Sequence, residues 1–203
     1  MMNIVQACGV VAKNRGDALL VSTMLSMFIF DRIEAANGAT NGRISSVPLM
    51  GGAAGLGLGL ALAQPQRKVV IMDGDASLLM ELGGLATVAT QGPKNLLHVV
   101  VHNGTQFTGL ANMPTMTNGF AFAQVARDCG YVFAERIEDG AAWAARFPVL
   151  LAMEGPVFVE LLVEPVPQQT KAGFEQEEMP DKQFGRMAEE ALALQAMLAQ
   201  ETV

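Results

Sequence analysis

The chain is predicted to fold as an α/β domain, an open, mainly parallel sheet of about six strands with helices on both faces. Three observations predict it. Short β-branched apolar runs alternate strictly with helix-length segments, the order that parallel βαβ units produce. Two such runs, Lys68–Asp73 and Leu96–His102, are separated by one complete helix-length segment. The last run, Pro156–Val163, is nearly all apolar, as a strand buried on both faces is.

Taken in order, Asn3–Lys13 is an opening helix, and Gly16-Asp17 turns into a strand at Ala18–Thr23. A helix over Met24–Asn37 follows and ends at the Asn37-Gly38 stop signal. Ile44–Val47 is a short second strand. Gly51–Ala63 is a helix whose glycines let it lie close to the sheet or to a ligand, at about 1 kcal/mol each in propensity. The strand Lys68–Asp73, helix Ser77–Thr90 and strand Leu96–His102 form the central unit. Gly104–Asn118 is a loop long enough to be functional. Phe120–Cys129 is a helix, Tyr131–Arg136 a strand, and Asp139–Met153 a helix with a kink expected at Pro148. After Pro165-Val166-Pro167 the composition shifts toward Gln, Glu and Lys, and Asp181–Gln200 is a terminal helix. The expected organisation is a domain over 1–165 and a C-terminal tail with its helix over 166–203.

At 203 residues the chain suits one domain with a sizeable core. Its hydrophobic fraction is 51% against 16% charged, which suggests that another subunit covers part of the surface. A net charge of −7 argues against nucleic-acid or anionic-membrane partners. Cys8 and Cys129 form no disulfide framework and have no metal-ligand spacing, so a reducing cytoplasm is expected. Met1–Gln6 lacks a basic region ahead of an apolar core, so no secretion signal is expected. Ala18–Phe30 is interrupted by Ser22, Thr23 and Ser26, and Val47–Ala63 by Pro48 and five glycines. Both fall short of the roughly 20 apolar residues of a membrane span.

Asp75 and Asn103 each follow an apolar strand. Parallel strands deliver both to the same, carboxyl edge of the sheet. A carboxylate and an amide oxygen together there can hold a hard divalent cation such as Mg²⁺. The helix from Ser77 starts at that edge, with free N–H groups for a phosphate that the metal bridges. Asp75 could instead merely cap that helix. Asn103 one strand away and the glycine-rich segment upstream favour the metal ligand.

Gly74-Asp75-Ala76, roughly two dozen further residues, then Asn103 resembles the diphosphate-binding motif of thiamine diphosphate (ThDP) enzymes, Gly-Asp-Gly followed by Asn, with Ala76 in place of the last glycine. With Met50–Leu62 and Gly74–Gly83, the resemblance is to the cofactor-diphosphate half of the sulfopyruvate and phosphonopyruvate decarboxylases, from roughly Gly16 to Pro165. It implies that Asp75, Asn103 and the Thr105 carbonyl bind Mg²⁺, and that Gly74, Asp75, Ala76 and Ser77 meet the diphosphate. It further implies that Met50 wedges the cofactor into its V shape, a task that suits an unbranched, adaptable side chain, and that the Pro48 carbonyl accepts from the 4′-amino group. For Ser77 an ordinary first-turn serine and for Met50 core packing are the bland alternatives. Asp73 more simply satisfies turn backbone. His98 and His102 alternate with valines and fit satisfied core residues; His102 stands where the family usually has an acid.

The glutamate that activates ThDP sits, in this family, on a pyrimidine-binding domain, and nothing in the chain offers a second α/β domain to carry it. The resemblance therefore implies a hetero-oligomer, in which a pyrimidine-binding (alpha) subunit supplies the glutamate. Its reaction would be decarboxylation of a small 2-oxo acid to an aldehyde. A carboligase of the acetolactate synthase kind and a subunit of an oxidative ThDP enzyme are the neighbouring readings. A catalytically silent assembly subunit is another, as is a nicotinamide-binding module, although Gly51–Leu60 fails the dinucleotide spacing. Relatives accepting phosphonates and sulfonates carry Ser-Thr-Gly-Gly-Gln-Pro-Thr after the Asn; here the stretch is Thr108–Thr115, with Leu110 and Met113 making it more apolar. Those two residues are expected to set acyl preference. The loop and the terminal helix are expected to lie over the substrate end of the cofactor.

Overall fold

The apolar runs become the strands of one six-stranded parallel sheet. The structure is a computed structural model and describes residues 1–38, 42–47, 49–107, 112–115, 119–165 and 180–200. In chain order the elements are α1 (Ile4–Asn14), β1 (Leu19–Ser22), α2 (Met24–Asn37), β2 (Arg43–Ser45), α3 (Ala53–Ala63) and β3 (Val69–Gly74). Next come α4 (Asp75–Met80), α5 (Gly84–Gln91), β4 (Leu96–His102), β5 (Thr105–Phe107) and β6 (Asn112–Pro114). The chain continues through α6 (Phe122–Cys129), β7 (Phe133–Ile137), α7 (Gly140–Ala152), β8 (Val157–Leu162) and α8 (Pro180–Gln200). The sheet order is β2-β1-β3-β4-β8-β7, all parallel.

Period-two alternation divides each central strand between two cores. Leu20, Val70, Met72, Val99 and Val159 face α1, α2 and α7, where Phe30, Trp143 and Phe147 are buried. Leu19, Val69, Ile71, Val100 and Phe158 face α3, α5 and α6, where Leu58, Leu85 and Phe122 are buried. The Trp143 indole N–H donates to the Ala7 carbonyl at 3.1 Å and ties α7 to α1. Helix α1 starts on a capping box, in which Asn3 and Gln6 bond reciprocally. Among the described residues no helix is long and apolar enough to cross a membrane.

Three elements differ from the sequence expectation. The helix expected over Ser77–Thr90 is two helices, α4 and α5, separated by a turn at Glu81–Gly83; the Gly83-Gly84 pair is the weakest helix-forming step of the segment. The loop Gly104–Asn118 contains the antiparallel hairpin β5–β6. Strand β2 pairs from Arg43 rather than Ile44. Helix α7 spans Pro148, in keeping with the helix expected over Asp139–Met153.

Helix α8 docks on the open edge of the sheet. Glu190 accepts from the Ser45 amide at 2.5 Å and the Ser45 hydroxyl at 3.1 Å, so its carboxylate takes the place of a neighbouring strand's carbonyl. Arg186 bonds Glu190 and Asp31, and Asp31 also bonds Arg43. Met197 lies over Gly42. Seven helical residues rise about 10 Å and three strand residues about the same. The helix therefore runs antiparallel along β2, and its first turns lead past the carboxyl end of the strand.

Gly57 packs so tightly on β3 that a Cβ there would sit 2.4 Å from Ile71 Cδ1. Gly57→Ala should lower stability by about 1–3 kcal/mol through overpacking, despite the gain in helix propensity, and Ile71→Val in the same background should restore part of the loss. Chemical denaturation of the three proteins checks this.

Candidate active site at the carboxyl edge

The register Gly74↔Val101 places the residues after β3 beside those after β4. Asp75, 1% exposed, uses Oδ2 to accept from the Gly104 amide at 2.9 Å and the Thr115 hydroxyl at 3.1 Å. Asn103 Oδ1 accepts from the Thr105 amide at 2.8 Å and its hydroxyl at 3.3 Å, closing an Asx turn. The Thr115 amide donates to the Gly104 carbonyl at 2.8 Å, so the hairpin β5–β6 returns to the strand end it left. Asp75 and the Asn103–Thr105 turn, far apart in sequence, are thus bonded neighbours.

The turn before α3 joins the same site. Gly51, at φ +89°, donates its amide to Ser77 Oγ at 3.0 Å. Ser77 therefore accepts from the glycine turn while its hydroxyl proton stays available to a ligand. Met50 is 38% exposed and belongs to neither core, so core packing does not account for it. Ala76 lies within α4, and no non-glycine residue among those described has a positive φ; position 76 imposes no left-handed backbone that would call for glycine. Gly74 is the N-cap position of α4. Pro48 and Leu110 lie outside the described residues. Met113 is 55% exposed on the hairpin.

Buried polar side chains form the floor. Asp73 accepts from the Gly74 amide at 2.8 Å and meets His98 Nε2 at 3.3 Å, while His98 Nδ1 meets the Tyr131 hydroxyl at 3.2 Å. Asp73 thus holds turn backbone and His98 is a satisfied core histidine. His102 differs. Its Nδ1 is 2.9 Å from Glu160 Oε1, and its Nε2 is 4.0 Å from Asp75 Oδ2. Glu160, fully buried on β8, also accepts from the Ala123 amide at 3.1 Å. Glu160 is the site-floor residue that sequence reasoning missed; the signal was a lone carboxylate inside the apolar run Val157–Val163.

The two carboxyls are held in opposite ways. Burial pushes Asp75 up, and the charge of His102 with bonds from Thr115, Ala76 and Gly104 offset this only in part, so its pKa is raised. Burial also pushes Glu160 up, but bonds from His102 and Ala123 and the charges of His102 and Arg136 outweigh it, so its pKa is lowered. An ionised Asp75 is therefore under-compensated by the protein alone. A divalent cation would supply the missing charge, and the oxygen donors of Asp75, Asn103 and Thr105 suit a hard one. The residues fit a magnesium–diphosphate group.

A parallel α/β sheet with an Asp–Asn pair at its carboxyl edge, preceded by a glycine-turned helix, is the arrangement of a diphosphate-binding domain. The family described as "Thiamine pyrophosphate enzyme, C-terminal TPP binding domain" matches residues 29–161, and the chain belongs to it. It is 40% identical over 116 residues to a protein named sulfopyruvate decarboxylase subunit beta from Methanothermobacter thermautotrophicus, covering 57% of this chain and 59% of that one. To the phosphonopyruvate decarboxylase of Streptomyces viridochromogenes it is 39% identical over 119 residues, covering 59% of this chain and 30% of the relative. The chain thus spans under two thirds of the length of either. The solved thiamine diphosphate-dependent 4-hydroxybenzoylformate decarboxylase of Rhodococcus jostii shares the fold, with a TM-score of 0.63 at 16% identity over 81% of this chain and 33% of that one.

A carboxyl whose pKa is raised by folding holds its proton more tightly folded than unfolded. The stability this contributes is present below the unfolded pKa and is lost as pH rises through the folded one. For the cation-free chain, Asp75→Asn should therefore raise the melting temperature at neutral pH, with the gain shrinking as pH falls through the carboxylate range. Thermal scans across that range check it; a uniform loss at every pH would show that Asp75 is chiefly a structural cap.

Proposed function

We propose that the chain is the diphosphate-binding subunit of a two-subunit, ThDP- and Mg²⁺-dependent 2-oxo acid decarboxylase that releases CO₂ and an aldehyde. The observation that carries this is the buried Asp75 carboxylate bonded to the Gly104 amide, beside the Asn103–Thr105 turn at the sheet's carboxyl edge. The names of the relatives point to the same chemistry, and the name "subunit beta" to a partner.

When bound, ThDP supplies the electron sink for cleavage of the bond between carboxylate and carbonyl carbon. This chain would hold the cation through Asp75, Asn103 and the Thr105 carbonyl. Gly74, Ala76 and Ser77 would line the diphosphate, with the Ser77 hydroxyl as donor. Met50, exposed on the turn that Ser77 holds, would support the cofactor, and the Pro48 carbonyl would accept from its amino group. The hairpin β5–β6, rooted on Asp75, would exclude water and present Met113 to the acyl group. The activating glutamate belongs on the pyrimidine-binding partner.

Asp75→Ala should abolish Mg²⁺-dependent ThDP binding with the fold intact, because a ligand is removed without opening a core cavity. Titration calorimetry decides this, and unchanged affinity would overturn the assignment. The purified chain alone, saturated with ThDP and Mg²⁺, should turn over no 2-oxo acid and should gain activity on addition of the partner. Steady turnover by a preparation shown by mass spectrometry to lack a partner would refute the split enzyme.

A further inference from the structure

We propose that Glu190 of α8 is a positioning residue for the cofactor, which through Ser45 and Ser46 sets the turn that carries Met50. The inference rests on the reading of Met50 as the support of ThDP. It goes beyond that reading, since it gives a role to a helix outside the stretch that matches the family.

The turn depends on its backbone anchors. Leu49 is 50% exposed and Met50 38%, and neither joins a core, so side-chain packing does not hold them. Downstream, Gly51 donates its amide to Ser77 Oγ at 3.0 Å. Upstream, the Leu49 carbonyl accepts from the Gly52 amide at 3.0 Å and from the Ser46 hydroxyl at 3.3 Å. Ser46 in turn donates its amide to the Ser22 carbonyl of β1 at 2.8 Å.

That upstream anchor is only as firm as β2, a strand of three residues with one neighbour in the sheet. Alternate amides of an edge strand point away from its neighbour. At Ser45 the outward amide donates to Glu190 Oε2 at 2.5 Å, and the hydroxyl donates to Oε1 at 3.1 Å. Two donors of one residue on the two oxygens of one carboxylate fix its backbone and its side chain together. Bonds to a carboxylate are also roughly twice as strong as neutral ones. Glu190 is itself held. Arg186 Nε donates to Oε1 at 2.9 Å, and the same guanidinium spans both oxygens of Asp31 on α2 at 2.8 and 2.6 Å. Asp31 also receives Arg43 of β2 at 2.7 Å. The bonded path from α8 to the site runs Glu190, Ser45, Ser46, Leu49 and then Met50.

Two probes separate this role from a merely structural one. Inorganic pyrophosphate reaches only the Asp75–Asn103 end of the site, whereas ThDP also spans the Met50 turn. The full chain is titrated with each in saturating Mg²⁺ by calorimetry. Glu190→Ala should weaken ThDP about 10-fold, the equivalent of one lost bond to a charged group, and leave pyrophosphate unchanged. Glu190→Gln keeps an oxygen for the Ser45 amide and should restore ThDP binding. Equal weakening of both probes by Glu190→Ala, no weakening of either, or a Glu190→Gln no better than Glu190→Ala overturns the proposal. Should Glu190→Ala fail to fold by thermal scan, Arg186→Met takes its place, releasing Glu190 while keeping an apolar stem. It should show the same selective loss of ThDP, and an equal effect on both probes there overturns the proposal as well. Asp75→Ala and Met50→Ala are titrated alongside. Parent-like pyrophosphate binding by the first, or parent-like ThDP binding by the second, overturns the reading of the site and the proposal with it. A weakened Met50→Ala beside an unchanged Glu190→Ala overturns the proposal alone.

Discussion

The pair of hydrogen bonds that Asp75 Oδ2 accepts, from the Gly104 amide and the Thr115 hydroxyl, is the constraint around which the carboxyl edge is organised. These bonds fasten the end of β3 to the turn after β4 and to the far leg of the hairpin β5–β6. They are available only because the two strands are parallel and paired at Gly74↔Val101. A slip of one residue would turn the β3 side chains to the opposite faces and carry Asp75 out of register with Gly104. The core on each face enforces that register, since Val69 and Ile71 fill one layer while Val70 and Met72 fill the other.

Burial acts differently on the two carboxyls of this edge. Asp75 is buried with a raised pKa, so the protein's own donors do not repay its desolvation. Glu160, on the far side of the His102 ring, is bonded by His102 and the Ala123 amide and is held low. The contrast between neighbouring carboxyls is informative. The bonds and charges around Glu160 outweigh its burial, whereas those around Asp75 offset it only in part.

The opposite edge of the sheet meets a different problem with the same chemistry. Strand β2 is short and outermost, and its free amides would pair with any exposed strand. Glu190 of α8 answers the Ser45 amide, and the chain Arg186–Asp31–Arg43 holds the helix in place. The terminal helix is thus packed into the same layer as α3 by the buried Leu194.

Much of this was legible in the sequence because it depends on local periodicity. The alternation of β-branched runs with helical segments specified an open parallel sheet, and the direction of parallel strands put Asp75 and Asn103 at one edge. The structural role of Asp73 agrees with what its neighbours implied. The break between α4 and α5 was also local, in Gly83-Gly84, but its effect depends on how the following helix seats Leu85 and Val88 against the sheet. The sequence determined, by itself, that Asp75 and Asn103 emerge at the carboxyl edge, because strand and helix periods are properties of neighbouring residues. Tertiary structure alone decided that His102 meets Glu160 and Asp75, that Ser77 holds the Gly51 turn and that α8 closes on β2. Those contacts depend on which strands lie side by side, and strand order is settled by the packing of whole layers, which no local run of residues encodes.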